Sequence, residues 1–226
     1  MCGIIGIVGN IQVQDRLLDS LKRLEYRGYD SAGIAGVVGG KVERRRAKGK
    51  IRALEDVLVG DPLNASVGIG HTRWATHGAP SERNAHPHTA GKVTLVHNGI
   101  IENFAELRHE LEAAGRTFES DTDTEVIAQL LDSELATGLE PLAALKATLD
   151  RLTGAYAIGV LIEGEDNLVM GARRGSPLVV DGDVIALVQI GDLVGERADR
   201  QGVGADEHLA VAIADHQRAA APGAHH

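Results

Sequence analysis

Cys2 is the only cysteine of the chain and directly follows Met1. By default a lone cysteine is a small buried hydrophobe. Its position allows a second reading. Removal of the initiator methionine ahead of a small residue would leave Cys2 with a free α-amine. That amine, with a pKa of about 7.7–8.0, is a usable base near neutral pH. A thiol of pKa about 8.5 would then carry its own base on the same residue, which is the arrangement of an N-terminal nucleophile.

Four further residues could complete such chemistry. Asn98-Gly99 is the commonest hairpin dipeptide. It could equally supply an oxyanion hole, the Asn amide and the Gly backbone N–H both donating to a developing negative charge. Ile100-Ile101-Glu102 and a helix pattern come next, rather than an obvious partner strand. Arg73 sits in a stretch with His71, Thr72, the only tryptophan Trp74, Thr76 and His77. A guanidinium there could hold a carboxylate bidentately. Asp123 would by default be a first-turn acid of the next helix, and could instead bind an ammonium. A cation and an anion at a fixed separation match the two charged ends of a free amino acid. His71, His77, His86, His88 and His97 raise zinc as a competitor, but their spacings fit no strong ligand pattern and H-E-x-x-H is absent. The segment Tyr26-Arg27-Gly28-Tyr29-Asp30 reads as a glycine-punctuated loop.

The elements that would position these groups can be read from periodicity. Residues 3–8 read as a buried strand. Leu17, Leu18, Leu21 and Leu24 recur at helical spacing, with Gly28 as a stop. Residues 34–38 and 42–46 flank Gly39-Gly40 as a hairpin. Residues 67–71 form a strand, and residues 72–90 a long polar stretch without periodicity. Residues 93–97 form a strand. Helices are expected on Phe104, Leu107 and Leu111, closed by Gly115; on Val126 to Leu135, opened by a Thr122/Glu125 capping box; and on Leu142 to Leu152, opened by Pro141. Strands are expected at 155–162, 168–172, 178–180 and 184–190. The pattern is α+β with antiparallel sheet, not βαβ alternation. It becomes vague from about residue 183, and residues 216–226 read as a disordered tail.

Composition narrows the class. A chain of 226 residues suits one domain, here drawn over residues 1–215. A net charge of −9 disfavours a nucleic-acid backbone binder, despite Arg44-Arg45-Arg46. No apolar run approaches a spanning length, so a membrane is not an expected partner. A single cysteine excludes an internal disulfide framework; with no signal peptide, a cytoplasmic location is expected.

Six segments together resemble one family. They are Met1-Cys2-Gly3-Ile4, EYRGYDSAG from Glu25, HTRWATHG from His71, NAHPH from Asn84, HNGIIEN from His97 and SDTDTE from Ser120. In that order and approximate spacing they resemble the glutaminase domain of the glutamine–fructose-6-phosphate aminotransferase (glucosamine-6-phosphate synthase) family. These are class II glutamine amidotransferases of the N-terminal nucleophile hydrolase superfamily. The resemblance implies a four-layer αββα sandwich of two antiparallel sheets. It implies Cys2, exposed by loss of Met1, as a nucleophile forming a glutamyl thioester, with release of ammonia and then glutamate. By the same resemblance Asn98 and Gly99 form the oxyanion hole, Arg73 binds the substrate carboxylate and Asp123 its ammonium. Thr76 and His77 are further glutamine contacts, Trp74 a lid residue that helps gate ammonia, and Arg27 a residue that helps hold the nucleophile's loop. No cofactor or metal is implied. The partners implied are glutamine and, through a sugar-isomerase half absent from this chain, fructose 6-phosphate on its way to glucosamine 6-phosphate. A homo-oligomer is left open.

The resemblance is strong to about residue 182. Beyond it, residues 184–189 are followed by a polar stretch, 191–204, that does not match. The C-terminal part is therefore expected to be incomplete or altered, with sheet edges at risk of exposure. The alternative function is an inactive truncated remnant or binding module of the same family.

Overall fold

A computed structural model describes residues 2–9, 12–74 and 78–176, and the backbone of two later strands, 186–189 and 208–213. Its elements in chain order are β1 (Gly3–Val8), α1 (Gln14–Leu24) followed by a 3-10 turn (Glu25–Arg27), β2 (Ser31–Val38), β3 (Lys41–Lys48), α2 (Ile51–Gly60), β4 (Val67–Arg73), β5 (His88–Ala90) and β6 (Val93–Gly99). Then come α3 (Phe104–Ala113), α4 (Asp123–Ala136), α5 (Pro141–Arg151), β7 (Tyr156–Ile162), β8 (Leu168–Arg174), β9 (Ala186–Gln189) and β10 (His208–Ile213). One antiparallel sheet runs β1-β4-β2-β3 and the other β5-β6-β7-β8-β10-β9.

Three apolar layers hold these elements together. Leu17, Leu21, Ile51, Leu54 and Leu58 pack α1 and α2 onto Ile34 of the first sheet. Val126, Ile127, Leu130, Leu131, Leu145 and Leu149 pack α4 and α5 onto Leu95, Ile158 and Val160 of the second. Between the sheets lie Ala35, Val67, Ile69, Val96, Leu161 and Val169. Alternation along single strands does this sorting: Ile158 and Val160 face helices, whereas Leu161 faces the other sheet. The expected αββα order is the observed one.

Local signals fared unevenly. Gly39 and Gly40, at φ 57° and 79°, form the expected two-residue hairpin between β2 and β3. Asn98-Gly99 is not a hairpin turn; both residues lie in β6, paired with Ala157 and Tyr156 of β7. The polar stretch 72–90 contains the end of β4 and all of β5. The helix α2 was not expected at all. The capping box is half made: the Thr122 hydroxyl accepts from Glu125 N–H (3.3 Å). The Glu125 carboxylate, however, reaches past Thr122 to accept from the N–H groups of Glu119 (2.8 Å) and Ser120 (2.6 Å). The outer edge of β8 is covered: Leu168 to Arg173 pair with β10, and β9 lies beyond. The strand expected at 178–180 and the expected tail lie outside the described residues.

Gly28 illustrates a stop that acts by contact. Its φ of −167° is ordinary extended backbone. A Cβ there would instead lie 2.6 Å from the Arg73 carbonyl carbon and 2.8 Å from its oxygen. The missing side chain lets the 25–28 turn press on the end of β4. Gly28→Ala is expected to destabilise the fold by roughly 1–3 kcal/mol, the usual cost of overpacking against a rigid neighbour. A urea melt checks this; an unchanged midpoint would contradict the close approach.

Candidate functional site

The ends of β1, β4 and β6 and the start of α4 converge on one cavity of about 330 Å³. Cys2, Arg27, Arg73, Trp74, Asn98, Gly99 and Asp123 all line it. Thr76 and His77 lie outside the described residues. Antiparallel pairing of Gly3 with Thr72 brings Cys2 beside Arg73 and Trp74. The Trp74 backbone N–H donates to Cys2 Sγ at 3.1 Å. Burial pushes the thiol's pKa up, and Asp30 adds to this; the Trp74 N–H, the chain's amino terminus and Arg73 pull the other way. The resting sulfur is therefore a thiol and needs a base to become a nucleophile.

Asn98 is held at both ends. Its Nδ2 donates to the Cys2 carbonyl at 2.9 Å, and its Oδ1 lies 2.9 Å from His71 Nε2. An amide nitrogen carries two N–H groups, and Cys2 takes one of them. Gly99 has φ +123°, and a Cβ there would fall 2.1 Å from the Ala155 carbonyl oxygen. Only glycine fits, and its backbone lines the cavity.

The two charged groups are buried. Arg73 is 3% exposed and Asp123 4%. Arg73 donates to the Gly78 carbonyl (2.9 Å) and lies 3.7 Å from Asp30. Burial lowers its pKa, while Asp30, Cys2 and Asp123 oppose the shift. Asp123 opens α4, where the helix dipole favours an anion. Its Oδ2 accepts from Ile101 N–H (3.0 Å), and Oδ1 lies 3.8 Å from His97 Nδ1. Trp74 is half exposed, edge-on to Tyr29 at 5.3 Å. Arg27 reaches the cavity wall, and its Nε donates to the Tyr26 hydroxyl (2.9 Å).

Sequence reasoning missed Thr124, Ser176 and three histidines as parts of this wall. His71, His86 and His97 line the cavity, and His88 lies behind His86. The His71 and His86 rings stack at 4.1 Å. Thr124 Oγ1 bridges His86 Nε2 (3.2 Å) and His97 Nδ1 (3.1 Å). The NAHPH motif was visible, but its histidines had been weighed only as metal ligands. Among the described residues no group of histidine, cysteine and carboxylate side chains could hold a metal. No described helix is long and apolar enough to cross a membrane.

Residues 71–180 match the model of the family described as a glutamine amidotransferase domain. Over those residues the chain carries the pattern of a glutamine amidotransferase domain. Over 180 residues, 80% of the chain, it is 79% identical to the glutamine–fructose-6-phosphate aminotransferase (isomerizing) of Caulobacter vibrioides and 59% identical to that of Brucella suis. The chain spans about 30% of the length of those relatives. A B. subtilis glutamine phosphoribosylpyrophosphate amidotransferase, solved with ADP and GMP, shares its fold. The TM-score is 0.65 at 24% identity, covering 93% of this chain and 41% of that one.

The histidines give this domain a pH-dependent stability. Burial, the largest cause in each, lowers His71 to about 3 and His86 and His88 well below the usual value. The unfolded chain binds those protons near pH 6.5, so stability is full above that and is lost as pH falls. Three such groups steepen the loss by up to about 4 kcal/mol per pH unit. Urea melts at pH 7.5, 6 and 5 are expected to show midpoints falling sharply below pH 6.5; a flat series would contradict neutral burial.

Proposed function

We propose that this domain hydrolyses the side-chain amide of glutamine through a covalent Cys2 intermediate. The reading is carried by the convergence in one cavity of a sulfur, an amide donor, a glycine backbone, a buried cation and a buried anion from four distant elements. The cavity volume suits a ligand at the small end of the usual range.

Loss of Met1 frees the Cys2 amine. With the thiol's pKa raised, that neutral amine takes the proton as sulfur attacks the amide carbon. Asn98 Nδ2 and the Gly99 N–H receive the charge that develops on the carbonyl oxygen. Arg73 holds the α-carboxylate and Asp123 the α-ammonium, which sets the reach of the side chain to sulfur. The ammonium formed on Cys2 returns its proton to the departing nitrogen, and ammonia leaves. Water then cleaves the thioester to give glutamate and free thiol. The name borne by the Caulobacter and Brucella relatives supports a destination for the ammonia: fructose 6-phosphate, aminated to glucosamine 6-phosphate by sugar-isomerase domains. Trp74 would act as a lid residue that helps gate ammonia, Thr76 and His77 would be further glutamine contacts, and Arg27 would steady the loop beside Cys2.

Glutamate release from glutamine, measured with an intact mass of the same sample, tests the reading. The Met1-free chain is expected to turn over, and Cys2→Ala to lose at least roughly a thousandfold in kcat. Asp123→Asn is expected to raise KM by about 10- to 100-fold, as a lost charge-assisted contact would. The acid limb of kcat/KM should follow the amine, near pH 7.7–8.0. Glutamine binding without turnover by Met1-free protein would make the chain a binding module instead.

A further inference from the structure

An asparagine amide is useful in an oxyanion hole only with its nitrogen toward the charge. Turned over, it would present oxygen and repel it. Asn98 could adopt either orientation, and its neighbours decide. His71 Nε2 lies 3.1 Å from the His97 carbonyl oxygen and 2.9 Å from Asn98 Oδ1. A carbonyl oxygen only accepts, so Nε2 carries the ring proton. A donating Nε2 in turn requires an acceptor from Asn98, so Oδ1 faces His71. Nδ2 is left to face the Cys2 carbonyl.

The ring itself is fixed from behind. His71 is 1% exposed, and its Nδ1 has no hydrogen-bond partner among the described residues. An unprotonated Nδ1 tolerates that far better than an N–H or a cation would. His86 stacks on the ring at an interplanar angle of 21°. His86 is pinned through Nδ1, which accepts from His97 N–H (3.4 Å), and through Nε2 to Thr124 (3.2 Å). Thr124 lies in the first turn of α4, next to Asp123. One continuous packed path therefore joins the start of α4 to the Asn98 amide.

The geometry points to His71 as a positioning residue for the oxyanion hole, its Nε2–H fixing which end of the Asn98 amide faces the substrate. The inference rests on the glutaminase reading above. In this role His71 moves no proton; it acts through Asn98. Burial keeps its ring neutral through the working pH range, so the orientation does not change with pH.

A double-mutant cycle on the Met1-free chain tests this. Wild-type glutamate release is measured first: no release would sink the glutaminase reading itself, and with it the ground for this one. With an active wild type, His71→Leu is expected to lower kcat by about 10- to 100-fold with KM changed less than about threefold, the mark of a contact that matters in the transition state. His71→Gln, whose amide can donate from the same place, should restore kcat to within about threefold. Asn98→Ala should cost roughly a hundred- to a thousandfold, and H71L/N98A no more than Asn98→Ala alone. If His71→Leu does not fold, His71→Asn, an amide one methylene too short, takes its place. Normal kcat in H71L, failed rescue by glutamine, or additive losses in the double mutant would each overturn the proposal.

Discussion

Pairing of β1 with β4 is the constraint on which the site depends. Gly3 lies opposite Thr72, and its N–H donates to the Thr72 hydroxyl at 3.1 Å. That register carries Cys2 to the strand end bearing Arg73 and Trp74. A one-residue slip would turn the β1 side chains to the opposite face and take the sulfur off the cavity. Gly3 must be small: a Cβ would meet Leu24 Cβ at 2.7 Å. The Cys2 sulfur is thus placed by a strand locked between a helix and a neighbouring strand.

The second sheet supplies the groups that answer the sulfur. β6 delivers Asn98 and Gly99, and the N-terminus of α4 delivers Asp123. The start of α4 is tied down by buried polar contacts rather than by apolar packing alone. The Ser120 hydroxyl donates to Glu125 (2.6 Å), and Thr122 Oγ1 meets His88 Nε2 (3.2 Å). Such networks are costly when incomplete and specific when satisfied. This one holds the 119–125 turn so that a buried carboxylate can stand at the cavity edge. The stacked histidines are the same solution on the facing wall, with polar rings kept neutral and used as spacers with directional bonds.

Much of this was legible from local chemistry. The leucine spacing of α1, Gly39-Gly40 and Pro141 all act through one or two residues, and the structure agrees with them. What stayed hidden depended on partners far away in sequence. The α2 pattern of Ile51, Leu54 and Leu58 was available, but its first N–H is capped by Glu25 at 2.9 Å, a residue 26 positions earlier. Asn98-Gly99 was open to a turn reading, weakened by the helix pattern after it; what settles its strand pairing is β7, more than fifty residues further along the chain. Glu125 pointed to a capping box because the tighter claim of Glu119 and Ser120 on its carboxylate is made only in the folded turn. The motif residues of the site were visible as types; their convergence was not, since it is produced by two sheets meeting face to face.

The proposed hydrolysis makes one chemical demand of this fold, register and cavity: the sulfur of Cys2 must become bonded to the glutamyl carbon. Rapid acid quench of the Met1-free chain during turnover, with peptide mass spectrometry of the quenched protein, observes that bond directly. The account requires an N-terminal peptide heavier by glutamine less ammonia, labile to hydroxylamine and missing in Cys2→Ser protein. Steady glutamate production with the Cys2 peptide never modified, or modification at another residue, would contradict it.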